Sequence, residues 1–289
     1  MGFAPLYPPY INASRRILAP TPAIYVQAVS VAPATIGVKT LAREGGDRGY
    51  AGVMARLHPI TAEALKGMLT PEVEQVLARP GVLKLPDGRM VKSFRKAGGW
   101  LSSARWRPYA LRFVRAAAEL GRRGVATVRV QAAYRVSPSR RDVVVYLPLA
   151  GTPLRQRLED EDALGRFARF LAGLHERGVH PRSMHLGNVI VDGQGGMGVI
   201  DVTAARFYRR GAPPAARARD FRPLLRYEPE ATAIKGYGVR RFVDAYLEAA
   251  GFTPRRRGRL LRHLARQDAA LAEAVGKGAP QIRSRRATR

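Results

Sequence analysis

The residues from 174 to 206 constrain the fold of this chain more than any other stretch. The stretch begins as the end of a helix, passes through the polar loop 180–188, and continues as two short apolar runs around Asp192-Gly-Gln-Gly-Gly. Glycine-rich turns between two apolar runs are typical of a tight β-hairpin. The sequence therefore predicts a helix, a loop and a hairpin in direct succession.

Two oxygen-bearing side chains lie at the open end of this hairpin. If Val189 pairs with Ile200, then Asn188 lies directly across from Asp201, about 5 Å away. A carboxylate and an amide oxygen at that distance can share a divalent cation. A hairpin with polar ends needs no metal, so the pairing alone leaves open both a metal site and an ordinary hairpin.

The net charge indicates which classes of partner this chain is suited to bind. The chain has 289 residues, and 50 Lys and Arg against 22 Asp and Glu give it a formal charge of +28. Such a charge favours an anionic partner, whether nucleic acid, anionic lipid or a phosphorylated substrate. The excess of Arg, Ala, Gly and Pro is also what a GC-rich genome produces. The absence of cysteine excludes disulfides, thiolate metal sites and cysteine nucleophiles.

Residues 1–53 differ from the rest of the sequence. Six prolines there break any helix or central strand. The uncharged run from Ile17 to Val38 follows two arginines, as in a signal peptide or a membrane segment, but prolines and polar residues interrupt it. A spanning helix needs about 20 mostly apolar residues. We predict that residues 1–53 are a disordered extension or do not belong to the functional protein.

Residues 54–148 are predicted to form a helical lead-in followed by a small antiparallel sheet. The lead-in, 54–79, contains apolar patterns for two short helices, and Thr70 is the predicted N-cap of the second. The sheet region, 80–148, has the turn signal Asp87-Gly88 between its first two strands. The predicted elements are helices 61–68, 71–77 and 109–120 and strands 81–85, 89–94, 125–130, 134–136 and 143–147.

Lys92 occupies an unusual position on the second of these strands. It shares a face with Met90 and Phe94, because alternate residues of a strand point the same way. A lysine between two large apolar side chains either extends along the surface towards water or points into a cleft. The residues alone leave both interpretations open.

Residues 149–276 are predicted to be mainly helical. A Pro- and Gly-containing break at 148–152 precedes several amphipathic patterns. The segment 277–289 holds five basic and no acidic residues, and we predict that it is a disordered basic tail. The predicted helices are 154–158, 162–177, 220–227, 240–250 and 259–275.

The order of β-rich region, linker and helical region resembles the layout of kinase-like phosphotransferases. Ser183-Met-His-Leu-Gly-Asn188 resembles the Asp-Leu-His-Pro-Gly-Asn motif of the aminoglycoside and choline kinase branch, and Val199-Ile-Asp201 resembles its Ile-Asp-Phe. The loop is also similar to the Arg-Ser-Leu-His-Leu-Gly-Asn of the lipopolysaccharide core heptose and Kdo kinases and their toluene-tolerance relatives. The resemblance implies an α+β, bilobal protein-kinase-like fold, with a small antiparallel β N-lobe (80–148) and a mainly helical C-lobe (149–276).

The resemblance also implies cofactors and site residues. ATP and Mg²⁺ are the expected cofactors, with Asn188 and Asp201 as metal ligands and Lys92 on the nucleotide phosphates. Asp201 thereby counts among the catalytic residues. Tyr146 and Leu147 lie in the segment that matches the hinge between lobes, where backbone groups meet adenine.

The sequence departs from the family pattern at several positions. Ser183 stands where these kinases carry the catalytic Asp, and a neutral serine cannot accept a proton as a carboxylate does. His185 is the nearest titratable group, either a substitute base or a structural residue. No Gly-x-Gly-x-x-Gly precedes Lys92, and Glu119 is the only acid of the following helix that can pair with it. Asp220 matches a residue that braces the catalytic loop, although a plain helix N-cap would explain it equally.

Three functions follow from these observations. The resemblance implies an ATP-dependent phosphotransferase that acts on a sugar hydroxyl of the lipopolysaccharide inner core. Its expected location is the cytoplasm, with peripheral contact to the inner membrane and an anionic glycolipid as partner. A pseudokinase, a regulatory module without the base, is the first alternative. A basic nucleic-acid-binding protein is the second, although aromatic residues make up only 8% and no nucleic-acid motif is present.

Overall fold

The computed structural model describes residues 56–95, 108–139, 141–158, 160 and 162–276. The predicted extension 1–53 and the predicted tail 277–289 lie outside these residues. The described part is a mixed α+β structure. None of its helices is both long enough and apolar enough to cross a lipid bilayer.

Helices and strands alternate along the described part of the chain. The α-helices are α1 Ala62–Met68, α2 Val73–Ala78, α3 Tyr109–Arg122, α4 Ala163–Glu176, α5 Pro214–Arg226, α6 Glu230–Tyr237, α7 Val239–Ala249, α8 Pro254–Leu264 and α9 Ala269–Gly276. The strands are β1 His58–Thr61, β2 Val82–Lys84, β3 Met90–Arg95, β4 Ala126–Thr127, β5 Arg129–Ser137, β6 Arg141–Leu147, β7 Thr152–Pro153, β8 Val179–His180, β9 Val189–Val191, β10 Met197–Val199 and β11 Arg206–Phe207. Short 3-10 turns occur at Leu154–Gln156, Leu186–Asn188 and Val202–Ala204.

Five strands form the first sheet, in the order β1-β5-β6-β3-β2. The Asp-Gly hairpin is confirmed, because β2 and β3 pair antiparallel with Val82 opposite Lys92. The strands of this sheet from residues 80–148 pair antiparallel, as predicted, but β1, from outside that range, adds an edge that runs parallel to β5. This strand comes from the lead-in that was predicted to be helical. Three of its four residues are exposed, so no apolar alternation marks it as a strand.

Both faces of this sheet are covered, which explains the apolar run of β6. Val143 and Val145 belong to a core shared with α1 and α2, whereas Val144 and Tyr146 belong to the core shared with α3. A strand buried on both faces reads as a continuous apolar run. Lys92 lies on the α3 face, and its Nζ is 5.4 Å from the ring centre of Phe113.

The predicted strand 125–130 is two strands in different sheets. β4 pairs in parallel with β10, whereas β5 starts at Arg129 and joins the first sheet. β5 also includes the segment predicted as a separate strand at 134–136. The residue between β4 and β5, Val128, is buried. The apolar pattern therefore continues across the change of sheet and gives no signal of it.

The second sheet has the order β4-β10-β9-β7. Its strands come from both sides of the predicted boundary at residue 148. The helical part packs mainly through α4 and α7, where the rings of Phe167 and Phe242 lie 5.8 Å apart. The amphipathic pattern of 162–177 thus predicted the buried face of α4 correctly.

Several helix boundaries differ from the predictions. Thr70 does not cap α2; its hydroxyl donates to the side chain of Glu72, and the helix begins after that residue. The predicted helix 259–275 is two helices, α8 and α9. α6 was not predicted, and α5 begins six residues before Asp220. Asp220 is therefore inside a helix, and the N-cap interpretation is wrong.

Candidate functional site

The β9–β10 hairpin exists, but its register differs by one residue from the prediction. Val189 lies opposite Val199. The backbone N–H of Ile200 donates to the carbonyl of Asn188 at 2.9 Å. Asn188 therefore lies across from Ile200, and the predicted position directly opposite Asp201 is wrong.

The turn of the hairpin sets this register. The backbone N–H of Asp192 donates to the carbonyl of Gly196 at 2.9 Å. The Asp192 carboxylate accepts from the N–H groups of Gln194 and Gly196 at 2.9 and 2.7 Å. These bonds place Asp192 opposite Gly196, whereas the predicted register requires Met197. An aspartate whose carboxylate closes its own turn sets the register locally. The alternation of apolar and polar residues along the strands does not reveal this effect.

Asp201 reaches the site through an unusual backbone conformation. Its φ is 55° and that of Arg182 is 68°, and these are the two non-glycine residues with positive φ in the described part of the chain. Such conformations cost about 1–3 kcal/mol and cluster at functional sites. Here both residues flank the loop that carries Asn188.

The side chains of Lys92 and Asp201 form an ion pair. Lys92 Nζ lies 2.7 Å from Asp201 Oδ1, and the two side chains are 20% and 25% exposed. The residues are 109 positions apart in the sequence. The pair therefore joins β3 of the first sheet to the end of the hairpin of the second. Lys92 faces the hairpin, as the cleft interpretation requires.

The loop before the hairpin folds back on itself. Asn188 Nδ2 donates to the carbonyl of Ser183 at 3.1 Å, and the Asn188 N–H donates to the carbonyl of His185 at 2.9 Å. Ser183, Asn188 and Asp201 all line one small pocket. Three of the residues singled out in the sequence thus lie together.

Asp220 holds the other end of the loop. Its Oδ1 accepts from the Arg182 N–H at 2.9 Å, and its Oδ2 lies 3.0 Å from His175 Nε2. Burial raises the pKa of Asp220 to about 7. The carboxylate therefore braces the loop from the interior of the protein, which is the role that the resemblance implied.

His175 continues this buried network. Its Nδ1 lies 2.8 Å from the hydroxyl of Tyr246. Burial lowers the pKa of His175 to about 3, so the ring is neutral, with Nε2 donating to Asp220 and Nδ1 accepting from Tyr246. Arg217 donates to Glu176 at 2.7 Å and lies 3.4 Å from the same hydroxyl. The network ties α4, α5 and α7 to the loop.

His185 lies beside two residues that the sequence gave no reason to select. Its Nδ1 is 3.4 Å from Arg155 Nη2 and 4.0 Å from Glu230 Oε1. Burial and the Arg155 charge lower the pKa of His185. A guanidinium can only donate, so Nδ1 accepts and the proton of the neutral ring lies on Nε2. In this tautomer Nε2 donates and Nδ1 faces the Arg155 guanidinium.

The remaining predicted residues lie at the first sheet. The ring of Tyr146 is buried and its centre is 5.4 Å from that of Phe113. Leu147, opposite Arg129, is the last residue of β6. Glu119 does not pair with Lys92, because its carboxylate lies 2.7 Å from the Arg123 guanidinium.

Asn188 and Asp201 are the candidate metal ligands at the end of the hairpin. No group of three or more His, Asp or Glu side chains suited to a metal is present among the described residues. Because Asn188 Nδ2 donates to a carbonyl, its amide oxygen remains available as a ligand, and Asp201 offers a carboxylate. One carboxylate and one amide oxygen suit Mg²⁺, which takes its other ligands from water and substrate phosphates.

Comparisons with known proteins give no further assignment. The chain matches no protein-family model, and no curated protein matches it.

Proposed function

We propose that this chain is an ATP- and Mg²⁺-dependent phosphotransferase with a bilobal, protein-kinase-like fold. The observation that carries the proposal is the Lys92–Asp201 ion pair, 2.7 Å long, between two distant segments. A cation on a strand of the first sheet and a carboxylate after the hairpin are what a nucleotide triphosphate and its metal require of a kinase. The first sheet with α3 corresponds to the N-lobe, and α4 to α9 correspond to the C-lobe.

The roles of the residues follow from phosphoryl-transfer chemistry. Catalysis of this kind is mostly positioning and stabilisation of charge. Lys92 would bind the nucleotide phosphates, and the oxygens of Asn188 and Asp201 would hold Mg²⁺, which neutralises the triphosphate when bound. Asp220 fixes the loop through the Arg182 N–H, so the metal ligands keep their places.

The acceptor follows from the sequence resemblance and the charge. We propose a sugar hydroxyl of the lipopolysaccharide inner core, an anionic glycolipid that suits a chain of charge +28. Contact with the inner membrane from the cytoplasmic side belongs to the same proposal. Ser183 lacks a carboxylate, so the acceptor hydroxyl would lose its proton late, to the transferred phosphoryl group or to water.

A second candidate function is a pseudokinase that binds nucleotide without transferring phosphate. Ser183 at the base position is the observation that favours it. Transfer of the γ-phosphate from ATP to deacylated lipopolysaccharide core distinguishes the two functions. Labelled product indicates a kinase, whereas nucleotide binding without product indicates a pseudokinase.

Nucleotide binding is the first test. We expect Mg²⁺ with ATP to raise the Tm of the full-length protein, and we expect Lys92→Ala and Asp201→Ala each to weaken ATP binding at least 10-fold. Isothermal titration with and without Mg²⁺ measures both effects. Loss of the Mg²⁺ dependence in Asp201→Ala alone would identify its carboxylate as the metal ligand.

Matched controls come from residues of the same types away from the candidate site. Lys84 is exposed on the neighbouring strand β2, and Asp244 is partly exposed on α7, where it pairs with Arg240. Lys84→Ala and Asp244→Ala should bind ATP as the wild-type protein does. If Asp201→Ala also binds and transfers normally, the kinase-like interpretation is wrong.

A further inference from the structure

Glu230 is a buried carboxylate, and among the described residues Arg155 is its one permanently charged partner. It is the first residue of α6, and its side chain has no exposed surface. Glu230 Oε1 accepts from Arg155 Nε at 2.9 Å and also from Nη2. Its Oε2 has no hydrogen-bond partner in the described part of the chain. A buried carboxylate is costly unless it is paired, so the structure depends on Arg155 at this place.

Arg155 itself is only half buried. It comes from the 3-10 turn Leu154–Gln156 after β7, and 43% of its side chain is exposed. A guanidinium carries five N–H groups, and a single carboxylate oxygen uses only some of them. Glu230 therefore fixes the position of a cation whose outer edge still faces solvent.

Gly187 allows this cation to lie against the loop. A Cβ at Gly187 would be 3.2 Å from Arg155 Cζ and Nη2, and 3.3 Å from His185 Nδ1. A Cβ at this position would require the guanidinium to shift by a few tenths of an ångström. The glycine next to Asn188 therefore accommodates the close approach of Arg155 without such a shift.

His185 lies on one side of the guanidinium. Its Nδ1 is 3.4 Å from Arg155 Nη2, and the side chain is one-third exposed. The two ring nitrogens of an imidazole point in different directions, so His185 flanks Arg155 and leaves the solvent-facing edge of the guanidinium to a ligand.

We propose that Arg155 binds an oxyanion, a phosphate or carboxylate group of a substrate, beside the turn that carries Asn188. Arg155 supplies the charge, and the buried carboxylate of Glu230 holds the guanidinium in place. This inference rests on the proposed function, because the oxyanion would belong to one of the two phosphotransfer substrates. Its source is either a charged group of the acceptor or the terminal phosphate of the nucleotide.

The test compares anion binding in two double variants of the full-length protein. Arg155→Gln with Glu230→Gln replaces the pair by two neutral amides, so neither partner is left as an unpaired charge. Arg240→Gln with Asp244→Asn is the control, since it removes an exposed pair 2.7 Å long in α7. The probes are MgATP, MgADP, deacylated lipopolysaccharide core, and the same core after removal of its phosphates with hydrogen fluoride.

We expect the first variant to bind one of these anions at least 10-fold more weakly than wild type, with the control within twofold. A loss confined to the core, and greater before dephosphorylation, identifies a phosphate of the acceptor. An equal loss with both core samples identifies a carboxylate. A loss with MgATP and not with MgADP identifies the nucleotide phosphate.

Unchanged binding of every probe overturns the proposal, and so does a wild-type protein that binds none of them. If the double variant does not fold, Arg155→Lys keeps the counter-charge of Glu230 and should weaken binding in the same direction. Because the readout is binding, a wild-type protein without transferase activity would contradict the proposed function and leave this measurement intact.

Discussion

At the residue scale, Gly151, just before β7, has a backbone conformation and surroundings that disfavour any other residue. Its φ is 132°, and a Cβ there would lie 2.8 Å from Ile190 Cγ2 and closer still to the carbonyl of Val191. Gly151 precedes β7, which pairs with β9, the strand after Asn188. The sequence marked this region only as a linker, whereas its backbone is packed against the hairpin.

We expect Gly151→Ala to lower the free energy of unfolding by about 2 kcal/mol or more, because it combines a strained φ with a backbone clash. Gly193, in the turn of the same hairpin, has open space around the Cβ position. Gly193→Ala should change stability by less than about 0.5 kcal/mol. Urea denaturation measures both, and equal stabilities would contradict the packing described for Gly151.

At the element scale, the buried network of His175 joins three helices to the loop. The ring is neutral because burial lowers its pKa to about 3, whereas an unfolded histidine titrates near 6.5. A depressed pKa contributes stability that is present above pH 6.5 and is lost as the pH falls towards 3. Asp220 contributes in the opposite sense, since its raised pKa favours the folded state at low pH.

Comparison with His175→Gln isolates the histidine, because Asp220 remains in both proteins. We expect wild type to have a larger free energy of unfolding than His175→Gln at pH 7.5. The difference between the two proteins should be about 2 kcal/mol smaller at pH 5. Chemical denaturation across this range measures the difference. An advantage that stays constant or grows as the pH falls would show that His175 is not held neutral.

At the scale of the whole molecule, repulsion among the excess positive charges opposes folding. With 50 cationic and 22 anionic side chains, the chain carries an excess of 28 positive charges. Self-repulsion of this kind destabilises a folded chain, and salt screens it.

We therefore expect Tm to rise by roughly 2–4 °C between about 0.05 M and about 0.5 M NaCl, which corresponds to about 1 kcal/mol. Scanning calorimetry measures the change. Arg209→Glu with Arg210→Glu, both exposed, lowers the net charge by four and should reduce the salt effect. A Tm that falls with salt would mean that attractive ion pairs outweigh the repulsion.

The sequence by itself determined the local elements of this protein. Turn residues and apolar periodicity predicted the β2–β3 hairpin, the helix α4 and the loop–hairpin that carries Asn188 and Asp201. These signals act within about ten residues. The family resemblance then selected Lys92 and Asp201, which the structure places 2.7 Å apart. Sequence reasoning therefore selected both members of the ion pair at the candidate site.

Only the tertiary structure decided how these elements meet. The register of the hairpin is set locally by the hydrogen bonds of Asp192, but the split between β4 and β5 depends on which sheet each strand joins. Arg155 and Glu230, 75 positions apart, carry no shared local pattern. Pairing across such distances is set by packing and by the need to neutralise buried charge, and neither leaves a periodic trace in the sequence.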